Sequence, residues 1–280
     1  MMKKWIVGLM TILLLLLVAC SDPESSDKVE SEMSADEVYE KSMEQVDTLE
    51  SAAFNMKLDQ TMDMGGEDKV TTKADVTGEM IEDPFILYQD GSVTMESETV
   101  GKMEINIEMY AQDDVVYVYE DMFNNWMKGT MDDLGDIGLE IGEEQSPFSP
   151  IEDLEQYIEE FTFEQTNDTY DFTLETDQEK FKELIVEKLQ GMQMQVDGSE
   201  DISDVFEIDK LHYDFSIDKE TFNMLAFTID FDITITENNE TATVESVIEA
   251  EFSDFNTIEE ITIPEEVIDE AVEPNDAFGF

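Results

Sequence analysis

No arginine occurs in these 280 residues, and histidine and cysteine occur once each, at His212 and Cys20. With no second cysteine there is no intrachain disulfide and no zinc–thiolate site. One histidine rules out a His-rich metal motif, and no Gly-x-Ser-x-Gly elbow accompanies it for acyl transfer. The 14 cationic residues, all lysine, face 72 Asp and Glu, for a net charge of −58. Binding a phosphate backbone needs clustered Lys and Arg, so nucleic acid is excluded as a partner. Neither a P-loop nor a dinucleotide-binding glycine fingerprint is present. The one long apolar run, Trp5 to Val18, is shorter than the roughly 20 residues that span a bilayer.

That run carries the strongest local signal in the chain. Met1-Met2-Lys3-Lys4 is a basic n-region, the apolar stretch follows, and Leu17-Val18-Ala19 precedes Cys20 as a lipobox. Cleavage after Ala19 makes Cys20 the new N-terminus, and its thiol takes a diacylglycerol carrying palmitate-type chains. Two acyl chains anchor far better than one. The expected location is the outer, extracytoplasmic face of the cell membrane, with the membrane itself as a partner through the anchor. Residues 1–19 are the signal peptide and 20–33 the lipidated cysteine with a flexible acidic tether. Residues 34–265 are one folded domain, and 266–280 form a loose C-terminal tail in which Phe278 and Phe280 are able to dock.

The pattern in between changes period. Ser34 caps a helix with Glu37 closing a capping box, and Val38, Met43, Val46 and Leu49 form its apolar stripe. Alternation then sets in: Phe54, Met56, Leu58, Met62 and Met64 against polar partners, with Gln60 the one break. Val70–Ile81, Phe85–Tyr88, a strand near Ser92–Thr99, Met103–Met109 and Val115–Tyr119 continue a six-strand meander, with a hairpin expected at Asp90-Gly91. A Gly-rich acidic stretch follows Trp126. Ile151, Leu154, Tyr157, Ile158 and Phe161 have helical spacing, as do Phe181, Leu184, Ile185 and Leu189. Strands are expected again at Phe163–Glu175, Leu211–Ile217, Leu225–Ile235, Ala242–Phe252 and Ile258–Ile263.

The fold class is therefore α+β: about 11 antiparallel strands and about three helices. Strands of 12 to 15 residues exceed the usual five or six and have to coil. A strongly curved sheet, its concave face covered by the helices, fits the pattern.

Chemistry is sparse. Chance carboxylate pairs abound and assign no acid–base dyad. His212 lies on the face opposite Leu211 and Tyr213. Calcium suits carboxylate oxygens, but Asp197-Gly198-Ser199-Glu200-Asp201 and Asp132-Asp133 with Asp136 lack EF-hand spacing. No metal site, cofactor or catalytic residue is assigned, and the chain reads as non-enzymatic. The acids, spread along the whole chain, fit a surface adapted to stay soluble outside the cell, with a stability that rises as salt screens self-repulsion. Methionine lines adaptable apolar surfaces, and Met56, Met62, Met64, Met103 and Met109 fall on predicted inward faces. They line a pocket or fill a core. Trp126 stands at a pocket mouth or plugs that core.

The lipobox, the Ser-Ala-Asp-Glu-Val helix leading into Ser51-Ala52-Ala53-Phe54, Tyr117-Val118-Tyr119 before Asn125-Trp126-Met127-Lys128, and the Ile217-Asp218-Lys219-Glu220-Thr221 turn together carry a resemblance. The chain resembles an uncharacterised family of Bacillus-type lipoproteins and, more distantly, the LolA-like and LppX/LprG-type lipoprotein carriers. The resemblance covers about residues 34–265 and implies a half-barrel around an apolar cavity that carries acyl chains, without fixed catalytic residues. An arginine near the LolA cavity has no counterpart here.

Two functions follow as expectations. One is a lipid- or amphiphile-binding lipoprotein whose cavity is lined by Met56, Leu58, Met62, Met103, Ile105, Ile107, Phe227, Ile229 and Phe231. The other is an interaction lipoprotein with a filled core, bound to a cell-surface protein whose basic patch matches the acidic surface.

Overall fold

Ser34 caps the first helix. In the computed structural model the described residues are 33–65, 69–99, 101–121, 125–130, 154–176, 206–237 and 240–273. The Ser34 N–H donates to Glu37 Oε2 at 2.9 Å, and the Glu37 N–H donates to Ser34 Oγ at 3.3 Å. This capping box opens helix α1 (Ala35–Val46). The Ser34 backbone donor also holds the Glu37 carboxyl below its usual range. Val38 and Tyr39 are the buried apolar side of α1.

Eleven strands follow: β1 (Ser51–Asp63), β2 (Lys69–Glu82), β3 (Phe85–Ser97), β4 (Gly101–Gln112), β5 (Val115–Glu120), β6 (Asn125–Gly129), β7 (Thr162–Gln165), β8 (Thr169–Thr176), β9 (Phe206–Asp218), β10 (Met224–Glu237) and β11 (Glu240–Ser253). They form one antiparallel sheet in the order β6-β5-β4-β3-β2-β1-β11-β10-β9-β8-β7. Two meanders thus meet where β1 pairs with β11, and the sheet stays open because β6 and β7 are its edges.

Directly paired residues share a face. Phe54 pairs with Gly78 and Phe252, and these residues define what we call the inner face. Helix α1 and a 3-10 helix (Glu155–Glu160) pack there: Val38, Tyr39, Leu154, Tyr157, Ile158 and Phe161 join Phe54, Met80, Phe172, Phe215, Phe227 and Phe252 in one buried cluster. Phe172 stacks on Phe215 at 4.4 Å with planes 8° apart, and Phe161 meets Phe215 edge-on at 5.4 Å. Such pairs add about 0.5–1.5 kcal/mol each beyond area burial. Gly78 is required beneath Phe54, since a Cβ there would lie 2.3 Å from the ring and 2.7 Å from the Tyr88 carbonyl.

Several expectations are corrected. Asp90-Gly91 is no hairpin but the middle of β3, because β2 and β4 flank it on both sides with an unbroken ladder. Gly91 serves close approach there: a Cβ would sit 2.3 Å from the Asp75 carbonyl. Phe163–Glu175 is two strands, β7 and β8. Ile258–Ile263 is not a strand. The helical spacing at 151–161 yields the 3-10 helix, and the helix expected at Phe181–Leu189 lies outside the described residues, as do the signal peptide, Cys20 and both acidic loops considered for calcium.

The chain also stays ordered beyond residue 265. Glu265–Glu270 is a short helix, α2, on the outer face, where Ile263 and Val267 cover Tyr110 with Tyr88, Tyr117 and Trp126 packed around them. It therefore does not join the helices on the inner face. Lys128 N–H donates to the Val272 carbonyl at 2.9 Å and Val272 N–H to the Trp126 carbonyl at 3.0 Å. That pairing occupies backbone groups an edge strand leaves free.

Candidate functional site

The register sorts charge between the two faces. On the inner face, residues 52–62 of β1, 70–80 of β2, 85–97 of β3, 101–111 of β4, 208–217 of β9, 227–235 of β10 and 242–252 of β11 contribute no charged side chain. A β-bulge keeps this pattern in β9: Ile208 and Leu211 both face inward, with Asp209 and Lys210 between them on the outer side. In a chain with 31% charged residues, the outer face takes the charge. Lys57, Asp59, Lys73, Asp75, Glu79, Glu104, Glu249 and Glu251 are all exposed. Lys73 pairs with Asp59, and Lys210 donates to Asp230 at 2.6 Å, which raises the Lys210 pKa.

All nine side chains expected to line a cavity fall on the inner face. Met56 pairs with Val76 and Ala250, Leu58 with Ala74 and Ile248, Met62 with Val70 and Val244. Met103 and Ile105 pair with Met95 and Val93, and Ile107 with Gly91. Phe227, Ile229 and Phe231 pair with Ala250, Ile248 and Ser246. They are not equally placed along the strands. Phe227 is 2% exposed, inside the end closed by α1 and the 3-10 helix. Met56, Leu58, Met62, Met103, Ile107, Ile229 and Phe231 are half-buried, with Val76, Val93, Met95, Ile235 and Ile248 around them. The inner face thus divides into a filled aromatic end and a longer, half-covered aliphatic stretch.

Other expected residues lie elsewhere. Met109 is buried beside Val116 and Val118 in a second small cluster, while Met64 is 60% exposed beyond the end of β1. Trp126 is on the outer face, 5.8 Å from Tyr110 and 5.5 Å from Tyr119, so it neither guards an inner pocket nor plugs the core. His212 faces outward, as the alternation implies, and pairs through Nε2 with Asp214. Among the described residues no cluster of three or more His, Cys, Asp or Glu could hold a metal ion.

Burial tends to raise the Asp218 carboxyl, but the Thr221 N–H at 2.7 Å and hydroxyl at 2.8 Å and the Glu220 N–H at 3.0 Å outweigh it. The Asp-Lys-Glu-Thr motif is therefore a self-capped turn between β9 and β10, away from any chemistry. A broad outer groove of about 700 Å³ runs over Ala53, Asn55, Thr77 and Ala226, with Glu79, Asp90 and Glu251 along it. It is shallow and carboxylate-rimmed, unlike the inner face.

Sequence reasoning missed a row of polar side chains on the inner face. Thr72, Gln60 and Ser246 lie side by side on β2, β1 and β11. The signal was present as two gaps in apolar alternation, but only the register brings them together.

Among the described residues no helix is long and apolar enough to cross a membrane. Residues 34–272 match a family of unknown function, DUF6612, and the chain belongs to that family. No curated protein matches it. Among solved structures, Mycobacterium tuberculosis lipoprotein LppX is similar at 12% identity and a TM-score of 0.39, over 84% of this chain and 100% of that one. A domain described as that of an outer membrane lipoprotein-sorting protein, from Vibrio parahaemolyticus, is similar at 13% identity and a TM-score of 0.24, over 84% and 97%. A DUF1329 family protein from Desulfovibrio piger is similar at 13% identity and a TM-score of 0.24, over 81% and 95%.

Proposed function

We propose that this DUF6612 member is a lipid-anchored, extracytoplasmic binding protein that holds a hydrophobic or amphiphilic ligand against the aliphatic stretch of its inner face, without covalent chemistry. One observation carries this reading. A chain with 72 acids keeps charge off the interior of a face that spans seven long strands, with Glu82 only at its rim, and among the described residues α1 and the 3-10 helix fill one end of it. Apolar area of this extent is costly in water, at about 25 cal/mol per Å². A ligand's hydrocarbon would remove it from water. The lipobox at Leu17-Val18-Ala19-Cys20 supports the location: Cys20 and a tether of residues 20–33 hold the domain at the outer membrane face.

The second reading, an interaction lipoprotein with a filled core, is favoured by the stacked Phe161, Phe172 and Phe215. That packing fills the covered end and leaves the half-buried stretch unexplained, so it is the weaker reading. Native mass spectrometry on the secreted Cys20→Ser chain, purified from its host, separates the two. A recurrent adduct that extracts into organic solvent supports carriage. An apo mass with no uptake of an added fluorescent diacylglycerol or fatty acid refutes it, and cross-linking at the cell surface then tests for a protein partner.

A further inference from the structure

From β2 to β10 the half-covered stretch is apolar along its length except at one level. There the register lines up Met95, Thr72, Gln60, Ser246, Phe231 and Leu211 across six neighbouring strands, from β3 to β9. The three central members are polar. The rows on either side run Val93, Ala74, Leu58, Ile248, Ile229 and Tyr213, and Ser97, Val70, Met62, Val244, Ile233 and Ile208, so from β2 to β10 both are wholly apolar. With strands about 4.8 Å apart, the polar strip is about 10 Å wide and one residue deep.

Ser246 is the telling member. It is 2% exposed, and its hydroxyl has no hydrogen-bond partner among the described residues. A buried hydroxyl is normally satisfied, and leaving one unpaired is expensive. Alanine or valine, used at the neighbouring inward positions of β11, would avoid that cost. Hydroxyl, amide and hydroxyl each donate and accept. No lysine of the described residues stands on this face to neutralise an anion, and the net charge of −58 repels one further.

We infer that Thr72, Gln60 and Ser246 form the polar subsite of the ligand site, and that the ligand is a neutral amphiphile. Its uncharged hydrogen-bonding group, an ester or amide carbonyl or a hydroxyl, meets the strip, with hydrocarbon lying along the apolar rows on both sides. This deepens the proposed function and rests on it. The assignment distinguishes acylglycerol-type ligands, whose esters are neutral, from fatty-acid anions, whose carboxylate would enter a face without a counter-charge.

The test uses the full Cys20→Ser chain and three pyrene-labelled probes: a diacylglycerol, a fatty acid at pH 7.5 and an alkane. Ser246→Ala and Thr72→Val remove one hydroxyl each with little change of shape, and thermal melts show that each variant folds. The expected result is that the diacylglycerol binds more tightly than the fatty acid. Each variant should weaken the diacylglycerol about 3- to 10-fold while leaving the alkane unchanged or tighter. If the diacylglycerol and alkane bind but neither variant alters the difference between them, the subsite is refuted and the proposed function stands. Fatty acid binding as tight as diacylglycerol overturns the neutral-ligand assignment. If no probe binds, the proposed function itself fails, and the subsite with it.

Discussion

Adjacent residues on β1 should respond to substitution in opposite ways, because the register turns Leu58 to the inner face and Asp59 to the outer. Leu58 is half-buried between Ala74 and Ile248, while Asp59 is exposed and paired with Lys73. Leu58→Asp loses about half the transfer free energy of a leucine side chain, about 1 kcal/mol. Setting a carboxylate into a charge-free apolar surface adds about 2 kcal/mol of desolvation. Together these come to about 3 kcal/mol. With a urea m-value of about 2 kcal/mol per molar, the unfolding midpoint should fall by about 1.5 M. Asp59→Ser removes one partner of an ion pair whose side chains are 60% and 54% exposed. Such a pair is worth about 0–1 kcal/mol, a shift below about 0.5 M. Urea titrations followed by far-UV circular dichroism measure both. If the two variants shift the midpoint equally, or Leu58→Asp shifts it by less than Asp59→Ser, the inner face is not the apolar surface described here.

Three further outcomes are expected. Partial desolvation at the end of β2 raises the Glu82 carboxyl above its usual range, although the side chain is exposed. The folded state therefore favours the protonated form, and the contribution to stability is lost as pH rises through the folded pKa. Glu82→Gln should raise Tm at pH 7, and the gain should vanish below the carboxylate range; a gain that persists at pH 3 contradicts the assignment. With a net charge of −58, raising NaCl from about 0.05 to 1 M should raise Tm, as the screening length falls from above 10 Å to about 3 Å; a constant or falling Tm would show that self-repulsion is not a significant destabilising contribution. Val267, 3% exposed, covers the outer aromatic patch. Val267→Ala should cost about 2 kcal/mol and shift Trp126 emission to the red, a clean signal because Trp126 is the one tryptophan after Cys20; unchanged emission would mean α2 does not shield it.

Much of the fold is legible locally. Alternation in 54–62, 211–217, 225–235 and 242–252 marks β1, β9, β10 and β11 and assigns their apolar residues to one face, because a period of two leaves no other amphipathic choice. The Ser34–Glu37 box marks the start of α1 for an equally local reason. Misreadings arose where a local signal met a tertiary constraint. Asp90-Gly91 looks like a turn, yet ladders on both sides keep it extended. Ile261 and Ile263 alternate like a strand but are buried without pairing, Ile263 beside Tyr110 on the outer face. Trp126 is amphipathic and fits either face by composition, and β5–β6 pairing turns it outward.

What the sequence determined by itself is the chemistry of each strand and its division into two faces. Those follow from nearest-neighbour geometry and composition. Tertiary structure alone decided that β1, next to β2 in sequence, also pairs with β11 at the far end of the chain. Pairing between distant segments depends on which edges remain once nearer ones are satisfied, and no local pattern encodes that. The same register turned two unrelated gaps in alternation, Gln60 and Ser246, into neighbours beside Thr72. A slip of one residue would have sent either to the outer face.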